Sequence, residues 1–212
     1  SDKIKFMQNK RLLSLDILRG LTIILMIIVN DPGSWSNVYA PLLHAEWNGI
    51  TPTDYIFPCF LFIVGVSIVL SMKKQYESGK SRNELMKKVL WRALKIYTVG
   101  IFLWVWPNFN FEGIRWVGVL PRIAFVYLAC ALLFLYASRK TQWYFGISVI
   151  LGYWLVMAYI PIPGIGFPDL NVPEKNWAHF IDHLILPGRL WQETWDPEGI
   201  FSTLPAIVSG LI

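Results

Sequence analysis

Residues 55–72 read YIFPCFLFIVGVSIVLSM, a run of eighteen positions without a charged side chain. An α-helix rises 1.5 Å per residue, so this run extends roughly 27 Å, close to the roughly 30 Å thickness of a bilayer hydrocarbon core. The run therefore predicts a membrane-spanning helix. Further apolar blocks occur near residues 12–29, 89–106, 119–137, 143–160 and 200–212.

The composition agrees with a membrane environment. Hydrophobic residues make up 55% of the 212 residues and charged residues 16%, whereas roughly 25% charge is usual for a soluble domain. The mean hydropathy is +0.46. We predict an all-α, polytopic integral membrane helical bundle with five complete spans and the start of a sixth. The sixth block stops at Ile212 after about thirteen residues, too few to cross, so we expect a fragment of a longer chain.

The distribution of basic residues predicts the orientation. Of the 19 Lys and Arg residues, fifteen fall in the segments 1–19, 71–95 and 138–142. Cytoplasmic connections near span ends carry an excess of Lys and Arg. The amino terminus is therefore predicted to be cytoplasmic, and the long connection 161–199 is predicted to lie on the outer face.

The charged segments bear on the classes of partner. The net charge is +5, but the basic residues alternate with spans instead of forming one stripe, so nucleic acid is not an expected partner. The segment Lys80–Arg92 is predicted to lie along the inner surface. Its cations either contact anionic lipids or hold a phosphorylated donor. Cys59 and Cys130 fall inside apolar blocks and are expected to be free thiols.

The first span carries two polar features. Arg19 is a cation in the second turn of an apolar helix, which requires compensation. Asp16, three residues earlier, is one partner; a phosphate at the cytoplasmic mouth is the other, and the sequence leaves both open. Asn30 ends the span. Its amide either caps the helix or donates a hydrogen bond to an oxyanion.

The loop after the first span contains the strongest candidate for chemistry. His44 is the only histidine among the first 178 residues, and Trp47, Asn48 and Asp54 follow it closely. A lone histidine is more often inert, but this polar setting favours acid–base or nucleophilic chemistry. Asp54 also has a structural explanation, because Thr51 and Asp54 have the spacing of a capping box.

The outer connection contains further candidate ligands. His179, Asp182 and His183 form an H-x-x-D-H pattern, which is a weak indication of a metal site without a third ligand of known position, and no metal is predicted. Asp196 and Glu198 precede the sixth block. They are either the acidic start of a helix or groups that hydrogen-bond a sugar.

Several stretches together resemble the heparan-α-glucosaminide N-acetyltransferase family. They are RLLSLDILRG with the following VN (Arg11–Asn30), HAEWNGITPTDYIFPCFLFIVGVSIVLSM (His44–Met72), GVLPRIAFVY (Gly118–Tyr127), the PIPG after the fifth block, and DPEGIFSTLPAI (Asp196–Ile207). One departure is Pro121, which stands where relatives usually have Gln before Arg122. The resemblance implies one transmembrane acyltransferase domain over residues 1–212.

The resemblance also implies a reaction. In this family a multi-span protein takes acetyl from cytosolic acetyl-CoA and delivers it to the amine of a terminal glucosamine on the far side, using a histidine that matches His44. The family's catalytic Asn and Asp match Asn30 and Asp54. We therefore expect these three residues to be catalytic and Arg19 to lie near the phosphates of CoA. The residues expected to face the acceptor are Trp47, Asn48, Arg122, Asp196 and Glu198.

The expected partners follow from this interpretation. They are acetyl-CoA as co-substrate, an amino-sugar or glycan acceptor, membrane lipids and, as one form of assembly, a second copy in a homodimer. The expected location is a bacterial inner membrane. A competing class is a glycan-lipid transporter or flippase without CoA chemistry, since broken helices and a large outer loop suit either task.

Overall fold

The computed structural model describes residues 12–106, 109, 111, 113–191 and 194–211, and over these residues the chain is all-α. No strand forms in the described ranges, where a single isolated bridge joins Ile162 and Gly166. The predicted all-α class is confirmed. The helices are α1 (Leu13–Asn30), α2 (Ile56–Glu77), α3 (Arg82–Val105), α4 (Val119–Tyr136), α5 (Arg139–Tyr159), α6 (Trp177–Ile185) and α7 (Ile200–Leu211).

Within the part of the chain that the structure describes, three helical segments are long and apolar enough to cross a membrane: Leu13–Asn30, Pro52–Glu77 and Val119–Tyr136. Along α1 only Thr22 and Val29 are buried, and its other apolar side chains are accessible. Such a surface suits lipid and not water, which agrees with an integral membrane protein. α3 and α5 cover the predicted third and fifth spans but include charged ends, so the crossing of these two helices stays a prediction.

The chain divides into two compact units, residues 1–63 and 64–212. The described part of the first unit holds α1, three short 3-10 turns and the first residues of α2. The last of these turns, Pro52–Tyr55, leads directly into α2. Pro58 therefore lies in the first turn of the α-helix, where the N–H that proline lacks has no partner within the helix.

In the second unit, α3 packs on α4, while α4, α5 and α6 pack around α7. α3 begins at a complete capping box: Glu84 N donates to Ser81 Oγ (3.3 Å), and Ser81 N donates to Glu84 Oε2 (3.0 Å). The helix thus starts seven residues before the predicted third span. From Arg82 onward the basic segment Lys80–Arg92 is the beginning of α3; its place along the inner surface stays a prediction.

The core of the second unit depends on close helix contacts. Val126 and Ala131 of α4 are fully buried. Gly65 of α2 lies against α7 so closely that a Cβ atom at residue 65 would be 1.9 Å from the carbonyl oxygen of Gly210. Only a residue without a side chain lets the two backbones approach to this distance.

Candidate functional site

His44 and Asp54 form a direct pair in the first unit. Nδ1 of His44 lies 2.6 Å from Oδ1 of Asp54. The side-chain exposures are 60% for His44 and 23% for Asp54, so the carboxylate is shielded while the ring stays open. Among the described residues, Nε2 of His44 has no hydrogen-bond partner. The contact fixes one ring nitrogen and leaves the other available for chemistry.

Asp54 is held in place by its second oxygen. Oδ2 accepts hydrogen bonds from the backbone N–H of Thr51 (2.7 Å) and of Ala45 (3.3 Å). The Thr51 hydroxyl lies 2.7 Å from the carbonyl oxygen of Leu43 and 3.0 Å from Oδ2. One carboxylate oxygen therefore serves the capping box and the other contacts the imidazole. The structural and the functional explanation of Asp54 are compatible because they use different atoms.

The other candidates of the first unit have defined surroundings. Asn30 donates from Nδ2 to the carbonyl oxygen of Met26 (2.8 Å), one turn earlier in α1. One of its two amide hydrogens is thus used within its own helix. Trp47 is half-buried and Asn48 is exposed. The oxyanion role of Asn30 and the acceptor-facing roles of Trp47 and Asn48 stay predictions.

Arg19 pairs with Asp16, one of the two partners that the sequence left open for this cation. Its Nη1 lies 3.3 Å from Oδ1 of Asp16, and the side chains are 39% and 35% exposed. A pair at this exposure contributes about 0.2–1 kcal/mol. Binding of CoA phosphates by Arg19 stays a prediction.

In the second unit, Asp196 and Glu198 are both bound by Arg115, which was not among the predicted site residues. Nε of Arg115 donates to Oδ2 of Asp196 (2.7 Å), and Nη2 donates to Oδ1 (2.5 Å) and to Oε2 of Glu198. Exposure of the Arg115 and Asp196 side chains is 8% and 0%. Burial alone would lower the pKa of Arg115, but its contacts with the two carboxylates outweigh burial and raise it.

Arg115, Asp196 and Glu198 form an ion cluster, and two backbone N–H groups donate further hydrogen bonds to Asp196. Trp191 N donates to Oδ2 (3.1 Å) and Glu198 N donates to Oδ1 (2.9 Å). The guanidinium carbon of Arg115 lies 4.9 Å from the ring centre of Trp191 and 5.9 Å from that of Trp104. The predicted contact of Asp196 with an acceptor therefore requires this pairing to open. No local sequence pattern predicts a pairing across 81 positions.

Arg122 and Glu198, two of the residues predicted to face the acceptor, line one cavity of about 310 Å³. Arg122 is 9% exposed. Its Nη2 donates to the carbonyl oxygen of Gly199 (3.3 Å) and to the Ser202 hydroxyl, and its buried Nε has no partner among the described residues. The remaining lining residues are Val117, Pro121, Phe125, Ile200, Thr203 and Leu204.

Asp182, part of the H-x-x-D-H pattern, caps α7. Its Oδ1 accepts from the backbone N–H of Ile200 (2.8 Å) and of Phe201 (3.3 Å). Desolvation is the largest influence on this carboxyl and raises its pKa to about 6, although the two backbone hydrogen bonds act in the opposite direction. The rings of His179 and His183 stack with centres 5.8 Å apart. The position of Asp182 is thus explained by helix capping.

The fold and the His44–Asp54 pair define a helical membrane protein with an oriented, accessible imidazole. Residues 11–182 match the family described as heparan-alpha-glucosaminide N-acetyltransferase, catalytic, and the chain belongs to this family of acyltransferases.

Two curated relatives, both named heparan-alpha-glucosaminide N-acetyltransferase, match most of the chain. The human protein is 32% identical over 252 aligned positions, which cover 95% of this chain and 37% of the relative. The mouse protein is 29% identical, with 95% and 38% covered. The chain thus spans well under half the length of these relatives. The family resemblance inferred from the sequence is confirmed.

Proposed function

We propose that this protein is a membrane acetyltransferase that moves acetyl from acetyl-CoA to the amine or hydroxyl of an amino-sugar or glycan acceptor on the outer face of the membrane. The observation that carries the proposal is the 2.6 Å contact between His44 Nδ1 and Asp54 Oδ1 in a chain of this family. A hydrogen bond to a carboxylate places the proton on Nδ1. Nε2 then has the free lone pair that a general base or a nucleophile needs.

Two routes use this lone pair. In the direct route, Nε2 removes a proton from the acceptor amine while the amine nitrogen attacks the thioester carbonyl carbon. The carbon–sulfur bond then breaks, and the CoA thiolate leaves with the proton from the imidazolium. In the covalent route, Nε2 itself attacks the carbonyl carbon, the carbon–sulfur bond breaks, and CoA leaves as its thiolate, which gives acetyl-histidine. The acceptor amine then attacks the acetyl carbon and the bond to Nε2 breaks. The proton that the amine loses passes to Nε2 and from there to the CoA thiolate. In both routes Asp54 stabilises the positive charge that develops on the ring.

The other residues have supporting roles in this proposal. Asn30 donates its remaining amide hydrogen to the tetrahedral oxyanion. Arg19 lies near the phosphates of CoA, because phosphate groups need cationic partners at the edge of an apolar environment. Trp47, Asn48, Arg122 and Glu198 contact the acceptor. Asp196 acts through Arg115, since its carboxylate has no exposed surface.

The membrane faces at which donor and acceptor bind follow from the predicted orientation. In it the protein lies in a bacterial inner membrane with its amino terminus in the cytoplasm. CoA carries several charges, and moving such charges through hydrocarbon costs several kcal/mol or more for each one. The helical bundle must therefore admit the donor from the inner face. Assembly as a homodimer is part of the same proposal.

The test measures both products of the reaction. Purified protein in detergent is incubated with acetyl-CoA and glucosamine, free CoA is quantified by thiol detection, and acetylglucosamine by mass spectrometry. Wild-type protein should release the two in equal amounts, and His44→Ala should release both at least about 100-fold more slowly. Movement of a glycan-lipid across vesicles without release of CoA would support the transporter class instead.

A second measurement separates the two routes. The protein is mixed rapidly with radiolabelled acetyl-CoA in the absence of acceptor and quenched at intervals. Label bound to wild-type protein but not to His44→Ala would support the covalent route. No protein-bound label, in a preparation that turns over fully once acceptor is added, would support the direct route.

A further inference from the structure

Two lysines contact the same oxygen atom at the connection between α2 and α3. Lys80 Nζ lies 3.2 Å from Oε1 of Gln75, and Lys88 Nζ lies 3.1 Å from it. The Gln75 amide is itself oriented, because its Nε2 donates to the carbonyl oxygen (3.3 Å) and the hydroxyl (3.2 Å) of Ser71. The glutamine therefore holds two ammonium groups side by side.

The backbone fixes the positions of both lysines. Lys80 is half-buried in the turn that follows α2, where its N–H donates to the carbonyl oxygen of Gln75 (3.3 Å). Gly79 precedes it with φ of +86°, a conformation that favours glycine. Lys88 lies in the second turn of α3. The pair thus depends on how two helices meet and not on flexible side chains alone.

The two positive charges are not neutralised by direct contacts. Among the described residues, no carboxylate lies within 4.0 Å of either ammonium. The contact with Lys80, assisted by desolvation, lowers the pKa of Lys88, and Glu84 opposes this only in part. Two ammonium groups that contact the same oxygen atom repel each other, and a bound anion would offset that repulsion.

We propose that Lys80 and Lys88 together bind one phosphate group through its oxyanion oxygens. Paired ammonium groups provide charge-assisted hydrogen bonds to two oxygens of the same phosphate. Gln75 positions both lysines before the ligand arrives. Two molecules present this chemistry at the predicted inner face: the 3′-phosphate of CoA and the phosphodiester of an anionic phospholipid. The CoA source rests on the proposed function, and the lipid source does not.

The experiment compares a double variant with a control of equal charge. Lys80→Gln with Lys88→Gln removes the pair, and Lys73→Gln with Lys87→Gln removes two exposed lysines of the same region. The full chain is placed in nanodiscs of neutral phosphatidylcholine. Binding of CoA and of dephospho-CoA, which lacks the 3′-phosphate, is measured by calorimetry without acceptor. A second arm measures retention of phosphatidylglycerol against phosphatidylcholine by native mass spectrometry.

Loss of the pair should weaken binding of the phosphate source about tenfold or more relative to the control. If the source is CoA, the loss affects CoA and not dephospho-CoA. If it is a lipid, the preference for phosphatidylglycerol falls while binding of both nucleotides is unchanged. The variant Lys80→Arg with Lys88→Arg keeps both charges and should retain binding, which separates loss of charge from misfolding.

The proposal is overturned if the double variant and its control behave alike in both arms. Because no turnover is measured, this outcome is distinguishable from failure of the proposed function. If the protein released no CoA with any acceptor, the proposed function would fail. If the double variant still lost its preference for phosphatidylglycerol, the phosphate site would stand.

Discussion

The Arg115 guanidinium donates to both carboxylate oxygens of Asp196, a residue 81 positions later in the chain, through contacts of 2.7 Å and 2.5 Å. The Asp196 side chain has no exposed surface, and Arg115 also contacts Glu198 at the wall of the cavity that Arg122 lines. The ion cluster thus links the segment before α4 to the segment before α7. Glu198 belongs both to this cluster and to the wall of that cavity.

Replacing Arg115 should destabilise the protein strongly. Arg115→Ala leaves the buried carboxylate of Asp196 without a cation, and we expect a loss of about 3–5 kcal/mol in the free energy of unfolding. Arg115→Lys keeps the charge but not the two-pronged contact, and should lose about 1–3 kcal/mol. Thermal and denaturant unfolding in detergent measure both. The control Arg189→Ala removes an exposed cation and should change stability by less than about 0.5 kcal/mol.

Asp182 should make stability depend on pH. Its pKa is about 6 in the folded protein against 3.8 for an ordinary aspartate, so the folded state holds this proton more tightly than the unfolded state. The contribution of Asp182 is therefore greatest below pH 4. It is lost as pH rises to about 6, by roughly 3 kcal/mol.

The measurement for Asp182 is a difference between two stability curves. Asp182→Asn keeps an oxygen that accepts from Ile200 N but cannot ionise, so the wild-type stability should fall relative to this variant between pH 4 and pH 6.5. Glu77→Gln, at an exposed carboxylate, should leave the shape of the curve unchanged. Parallel curves for wild type and Asp182→Asn would contradict the raised pKa.

The contact between Gly65 and Gly210 should tolerate no side chain. A Cβ at residue 65 would lie 1.9 Å from the Gly210 carbonyl oxygen, which is backbone and cannot rotate away. We expect Gly65→Ala to destabilise the protein by about 1–3 kcal/mol through forced separation of α2 and α7. Gly152→Ala is the matched control inside α5, because nothing lies within 4 Å of its Cβ position. It should be neutral or stabilise by up to about 1 kcal/mol. Equal melting temperatures for the two variants would show that the helices separate without cost.

Substitutions of His44 and of Asp54 should reduce kcat to different extents. His44→Ala removes the reacting nitrogen, and we expect a loss of about 10²–10⁴-fold in kcat. Asp54→Asn keeps an oxygen acceptor but loses the negative charge beside the ring, and a lost charge-assisted hydrogen bond of about 1.5–3 kcal/mol corresponds to a reduction of about 10–150-fold. Steady-state acetyl transfer measures both. Folding is checked by thermal unfolding, because Asp54 also accepts from Thr51 N. Wild-type kcat in Asp54→Asn would contradict its orienting role.

Much of the fold was predictable because a helix that spans a bilayer needs an apolar run as long as the hydrocarbon core is thick. The run 55–72 predicted a helix, and α2 occupies Ile56–Glu77. The boundaries differ most at α3, where Ser81 and Glu84 start the helix ahead of the apolar block. Apolar length measures the hydrocarbon thickness, whereas helix ends are decided by capping groups that lie outside it.

The candidate site was predictable only where its parts are close in the chain. His44 and Asp54 are ten positions apart, and their pairing follows from a loop that returns to the start of α2. The roles of Arg115 and of Asp182 as a helix cap were missed, because their partners are Asp196 and the first turn of α7. Neither partner is close in sequence.

Hydrophobic length and ordered motifs, both of which can be read along one chain, were enough to predict a membrane environment, the helical class and the family of this protein. Which charges meet across long chain separations depends instead on how the helices pack. The pairings of Arg115 with Asp196 and of Asp182 with the start of α7 join segments that lie far apart in the chain. Burial there makes an unpaired charge costly, so packing and not local sequence selects the partner.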